Sequence, residues 1–156
     1  MLADDSGLEV DALNGAPGVH SARFAALAGA GLDNSPDAAN NAQLLRLLHN
    51  VPVEKRAARF RCVLALTPVL ASVAENSRPE GAANDFELQT ELFDGVCQGR
   101  VGFALRGAGG FGYDPLFFPR GFDLSFAELG EAVKNQLSHG AQALAKLRQH
   151  LRKHAR

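Results

Sequence analysis

Apolar and polar positions along this chain repeat on two periods, and the switches between them outline its elements. Leu8, Val10 and Ala12 alternate with Glu9 and Asp11, which predicts a short strand directly after an acidic turn at Asp4 and Asp5. Asn14-Gly15 and Pro17-Gly18 mark tight turns. Ser35-Pro36 reads as a helix start, with Ser as N-cap and Pro at the first helical position. Leu44, Leu45, Leu47 and Leu48 give that helix a buried face, and Asn50 with Pro52 ends it. Residues 59–66 read as a buried strand, with Phe60, Cys62, Leu64 and Leu66 pointing one way and Arg61, Val63 and Ala65 the other. The polar stretch 77–85 reads as a loop, and 86–93 alternates again as a strand. Glycines at 95, 99, 102, 107, 109, 110 and 112 argue for backbone passing close to something. Residues 115–118 form a short apolar strand. Ser138 is placed to cap a last helix ending near residue 154, with Leu144, Leu147 and Leu151 at i, i+3 and i+7. Strands and helices alternate, the mark of an α/β domain.

Composition narrows this picture. No repeat or low-complexity linker divides the 156 residues, so one domain over 1–156 is expected. Apolar residues at 46% can fill a core, and a net charge of −1 argues against nucleic acid or a membrane as partner. Lys146, Arg148, Arg152, Lys153 and Arg156 cluster without an acid among them and suit the negative end of the last helix. Cys62 sits in an apolar run and reads as a buried thiol; with Cys97 it makes no zinc site. No apolar stretch reaches the roughly 18 residues of a membrane helix, and a reducing, cytoplasmic setting is expected.

Three stretches carry candidate chemistry. Adjacent Asp4 and Asp5 can divide roles, one ligating a hard cation such as Mg²⁺ and the other orienting or deprotonating water. The same spelling fits an Asx-type turn capped by Ser6. In GGFGYDPLFF, residues 109–118, Gly110 and Gly112 let backbone approach a ligand. Phe111 or Tyr113 offers a stacking face, and Asp114 an acceptor. No Gly-Lys-Ser/Thr follows, so this is not a Walker loop, and a glycine-bracketed turn with core aromatics is the alternative. In EAVKNQLSHGAQAL, residues 131–144, Lys134 and His139 supply donors that suit phosphate or a base carbonyl. A surface lysine and a capping-turn histidine are the other reading of the same residues.

Taken in order, ADDSGLEVDALNGAPGVHSARFA, GFGYDPLFF and AEL…KN…SH…QAL resemble the inosine triphosphate pyrophosphatase family. The resemblance runs from residue 3 to about 147 and is weakest over 70–86. It implies an α/β fold with a mixed central sheet flanked by helices in two lobes. It also implies a Mg²⁺-dependent hydrolase that splits ITP, XTP and dITP into the nucleoside monophosphate and pyrophosphate. By the same resemblance Asp5 is the general base and metal ligand, Asp4 supports the metal, and Ser6 contacts substrate. Phe111, Gly112, Tyr113 and Asp114 form the base-binding turn, with Phe111 stacked on the purine. Lys134 and His139 donate near the base. Hypoxanthine and xanthine carry a ring carbonyl where adenine carries an amino group, so a donor-lined pocket pairs the first and rejects the second.

The chain departs from the family at two places. Gly140 stands where the family has an Arg after the His, which removes a fork of donors. The family's N-terminal region, with a Ser/Thr-x-Asn-x-x-Lys phosphate loop and a metal-binding Glu, has no counterpart in this sequence. Weak catalysis, an unpaired apolar sheet edge and a start placed too late, or a fragment, are therefore expected. A homodimer is expected from the resemblance, and a non-catalytic nucleotide-binding or dimerisation remnant is the alternative.

Overall fold

The computed structural model of the chain describes residues 1–29, 31–68 and 89–154. Among these, four strands form one sheet in the order β1 (Leu2–Val10), β2 (Ala57–Leu66), β3 (Glu91–Val101) and β4 (Phe117–Pro119). The helices are α1 (Phe24–Ala28), α2 (Asp37–Leu47), α3 (Phe126–Leu137) and α4 (His139–His154). The α/β class is as expected, but every pairing among the described residues is antiparallel rather than mixed. The loop expected over 77–85 and the first residues of the strand expected over 86–93 lie outside the described residues.

The acidic pair is not on a turn. β1 pairs with β2 from Leu2↔Leu66 to Val10↔Ala58, with Asp4 opposite Leu64 and Asp5 opposite Val63. Ala12, expected within the strand, lies in a 3₁₀ turn at Asp11–Leu13. The chain reverses after it through Asn14 (φ 54°) and Gly15 (φ 89°), the turn that Asn-Gly signals. Successive side chains of a strand leave on opposite faces. Asp4, Ser6, Leu8 and Val10 therefore share one face of the sheet, and Asp5, Gly7 and Glu9 the other.

The first face is the core. Leu8, Val10, Leu44, Leu48, Phe60 and Phe117 are buried together, and Cys62, Leu64, Phe93, Ala143 and Leu147 continue the same layer under α4. The second face carries a charged row in which Arg59 pairs with Glu9 (2.6 Å) and Asp11 (3.1 Å). Arg56 is a charged side chain inside the core. Its buried guanidinium donates to the carbonyls of Leu48 (2.5 Å), Val51 (2.8 Å) and Gly102 (2.7 Å), tying the end of α2 to β2 and β3, and burial lowers its pKa.

Glycine explains where the layers touch. β3 reaches beyond the strand expected over 86–93 and takes in Gly95 and Gly99. A Cβ at Gly95 would fall on the carbonyl oxygen of His139 and lie 2.6 Å from Ala143 N, so α4 crosses β3 at backbone distance. That approach selects the buried stripe of α4. His139, Ala143 and Leu147 are buried, whereas Leu144 and Leu151, expected inside, are about half exposed. Ser138 caps α4 as expected, its Oγ accepting from Ala141 N (3.2 Å).

The start of α2 differs from expectation. Pro36 occupies the N-cap without a side-chain bond, and Ser35 Oγ accepts instead from Ala26 N (2.9 Å). Leu44 and Leu48 are buried one turn apart, while Leu47 is exposed. The apolar strand expected over 115–118 lies slightly later, at Phe117–Pro119. α3 was not anticipated, although Ser125-Phe126-Ala127-Glu128 spells a capping box. Ser125 Oγ accepts from Glu128 N (3.2 Å) and Glu128 Oε2 accepts from Ser125 N (2.8 Å). A non-helical Gly130 (φ 76°) interrupts α3.

Candidate active site

A tight turn after the glycine-rich stretch places the aromatic residues. Gly110 (φ 78°) and Gly112 (φ 59°) take left-handed backbone around Phe111, and a Cβ at Gly110 would strike the Asp114 carboxylate. Asp114, only 2% exposed, accepts from Phe111 N (2.9 Å) and from Lys134 Nζ. The Lys134 ammonium also lies 4.1 Å from the Phe111 ring centroid. Asp114 Oδ2 thus holds both the turn and Lys134, which leaves Asp114 Oδ1 and two N–H groups of the ammonium for other partners. Tyr113 is an anchor: its buried hydroxyl donates to Ser21 O (2.8 Å), and burial raises its pKa. Phe111, 73% exposed, is the ring left for a ligand.

Ser6, Phe111, Gly112, Tyr113, Asp114 and His139 all line one cavity of ≈ 170 Å³. That is smaller than the roughly 300–1,000 Å³ of a site enclosing a drug-sized ligand, and it suits a flat ring rather than a whole nucleotide. His139 forms its inner wall. The imidazole stacks on Phe60 with ring centroids 4.9 Å apart and 14° between planes, and it is only 9% exposed. Burial first, and then the Lys134 charge, push its pKa down to about 4, so the ring is neutral at pH 7. Its Nδ1 is buried without a hydrogen-bond partner among the described residues.

The two carboxylates separate. Asp4 shares the face of Ser6, whose Oγ donates to Asp4 Oδ1 (2.9 Å), and lies 3.9 Å from the buried Cys62 Sγ. Asp5 leaves on the other face and lines a second cavity of ≈ 210 Å³ with Gly18, Val19, Arg61 and Val63. Ser6 and Gly7 line both cavities, so the two openings adjoin across β1. Gly7 makes this junction narrow, because a Cβ there would strike Gly18 O and approach Ser21 Oγ at 3.0 Å. The pleat of β1 thus sends the neighbouring Asp4 and Asp5 carboxylates to opposite faces of the sheet. No group of three His, Cys, Asp or Glu side chains that could hold a metal occurs among the described residues.

Several residues at the site had no role in the sequence reading. Ser21 accepts from Leu8 N (2.9 Å) and lines the aromatic cavity. Asn40, buried, accepts from Ala25 N (2.8 Å) and donates to Ala22 O (3.2 Å) and Ser35 O (3.3 Å). Asp37 and Asn41 bond the Gly112 backbone. One signal was available: Asn40 and Asn41 stand one turn before Leu44 and Leu45, on the stripe that enters the core. Gly140, in place of the family's Arg, has nothing within 4 Å of where a Cβ would stand.

The model of the Ham1 family matches residues 1–150. The chain is 48% identical over 145 residues to the dITP/XTP pyrophosphatase of Desulforamulus reducens, covering 93% of this chain and 61% of that protein. It is 48% identical over 150 residues to the dITP/XTP pyrophosphatase of Pseudomonas syringae pv. tomato, covering 96% and 65%. Among solved structures, the Staphylococcus aureus Ham1 protein superposes with a TM-score of 0.76 at 37% identity, over 98% of this chain and 67% of that one. The chain thus spans somewhat under two thirds of the length of the curated relatives it matches. With the family model matching residues 1–150 and relatives 48% identical over more than nine tenths of it, this chain belongs to the Ham1 family.

Proposed function

We propose that the chain belongs to an enzyme that hydrolyses non-standard purine nucleoside triphosphates to the monophosphate and pyrophosphate. The observation that carries this reading is the junction at Ser6 and Gly7: an aromatic cavity on one side of β1 and a carboxylate-bearing cavity on the other. The base would enter the first and stack on Phe111, beside the neutral His139 and the Ser6 hydroxyl. The triphosphate would pass from the first cavity to the second at Ser6 and Gly7, where the two adjoin. Asp5 is exposed and makes no salt bridge among the described residues, so its carboxylate is available to take a proton from the attacking water. Water would add to the α-phosphorus as the bond to the pyrophosphate leaving group breaks.

A resident protein-built metal cage does not suit these residues. A Mg²⁺ carried by the substrate does, because such ions commonly take one or two carboxylates and complete their shell with phosphate oxygens and water. Asp5 is the side chain that would hold it, and the ion would offset the charge of the triphosphate. A cytoplasmic homodimer belongs to the same reading, and light scattering tests the dimer.

Incubating the chain with Mg²⁺ and ITP, and measuring pyrophosphate, tests the proposal. Release that drops on the order of 10²–10⁴-fold in Asp5→Asn supports it. The alternative is a nucleotide-binding remnant, favoured by the divergence of Asp4 and Asp5. It predicts thermal stabilisation by ITP without pyrophosphate. Neither release nor stabilisation would sink both.

A further inference from the structure

We infer that Asp37 and Asn41 of α2 are positioning residues of the base pocket: they hold the two ends of Gly112 and so set the orientation of Phe111 and Tyr113. The inference rests on the nucleotide reading above and extends it to a helix that touches none of the reacting atoms.

Both bonds converge on one residue. Gly112 N donates to Asp37 Oδ2 at 2.6 Å, and Asn41 Nδ2 donates to Gly112 O at 2.9 Å. Asp37 and Asn41 stand four apart on a helix, so their side chains lie on the same face, one turn above the other. Gly112 sits in left-handed backbone with open space where a Cβ would be. A glycine in that setting has little of its own to fix its conformation. Bonding its N–H and its C=O to one rigid element removes that freedom.

The turn is also closed upon itself. Phe111 N reaches Asp114 Oδ2, Asp114 N reaches Phe111 O at 3.2 Å, and Lys134 pairs with Asp114. Residues 111–114 therefore move as a unit, and α2 registers that unit against the sheet through buried Leu44 and Leu48. The opposite wall is referenced to the same helix. Asn40 binds Ala22 O and Ala25 N, and Tyr113 bridges the walls by donating to Ser21 O. Stability alone explains Asn41 poorly. It is 4% exposed, and its Oδ1 is buried without a partner among the described residues, a cost to folding. What the amide supplies is the donor to Gly112.

The test uses the chain with ITP, with inorganic tripolyphosphate as a probe that lacks the base. Asp37→Ala and Asn41→Leu should each raise the Kd and KM for ITP about tenfold and leave kcat within about twofold, since the turn touches the base and not the phosphates. Tripolyphosphate binding should not change. Asp37→Asn keeps an acceptor for Gly112 N and should restore ITP binding to within about threefold of wild type. Folded variants with unchanged ITP affinity would overturn the inference. So would a loss of kcat that only follows the folded fraction while KM stays constant. If the wild-type chain binds no ITP, the nucleotide reading falls and this inference with it. Binding that is indifferent to Asp37→Ala removes the inference alone.

Discussion

His139 shows how burial decides the chemistry of a single side chain. Burial, and then the nearby Lys134 charge, make the charged form unfavourable, and its pKa falls from 6.5 to about 4. The unfolded chain then binds the proton more readily than the folded one. The stabilising contribution is complete above the unfolded pKa and is lost as pH falls from about 6.5 through about 4, by at most about 3 kcal/mol. A His139→Phe variant should therefore show a flatter fall in unfolding free energy across that window than the wild type, measured by urea titration at a series of pH values. Lys134 tests the neighbouring pair. Its side chain is 14% exposed and that of Asp114 3%, so Lys134→Met would leave a buried carboxylate without its cation. A loss of about 3–5 kcal/mol in unfolding free energy is expected. Lys134→Arg should recover part of it.

At the scale of elements, close backbone contact sets the arrangement more than apolar periodicity does. α4 presents His139, Ala143 and Leu147 to the sheet because Gly95 lets its backbone settle onto β3 there. Gly95→Ala places a methyl group on the His139 carbonyl. It should destabilise the fold by about 1–3 kcal/mol, read from the shift in urea midpoint at unchanged m-value. The displaced α4 should also weaken ITP binding. The sequence pointed at this contact through its run of glycines, without saying what approached. It pointed equally well at the Ser138 cap, a local bond between residues three apart. It misassigned Leu144 and Leu151, because a stripe at helical spacing identifies a face only when one such stripe exists. Here Ala143 and His139 supply a second stripe that composition does not advertise.

For the whole molecule, the sheet works as a partition. One face carries the core and the aromatic cavity; the other carries Asp5 and the charged row of Glu9, Arg59 and Arg61. A ligand that spans both cavities bridges α2, β1 and α4, elements far apart in the chain. ITP with Mg²⁺ at about 100 times its Kd should therefore stabilise the native state by about 2.7 kcal/mol. The corresponding rise in Tm is roughly 5–10 °C for a chain of this size. Scanning calorimetry with ATP in place of ITP tests the base pocket directly, and an equal rise for both nucleotides would contradict a pocket that prefers a ring carbonyl to an amino group. No helix among the described residues is long and apolar enough to cross a membrane.

The sequence by itself determined the α/β class, the strand at β2, the capped start of α4 and the glycine-bracketed aromatic turn. These are properties of spacing and of short-range chemistry, which a linear chain records directly. Tertiary structure alone decided that the acidic pair lies inside a strand, so that its carboxylates part. It also decided that Asp114 and Lys134 pair with each other, and that Asp37 and Asn41 reach Gly112 across 75 and 71 residues of chain. The physical reason is common to all three. Periodicity says which side chains share a face, but the partner that face meets, and the hydrogen bonds left over for a ligand, are set by elements that become neighbours only when the sheet closes.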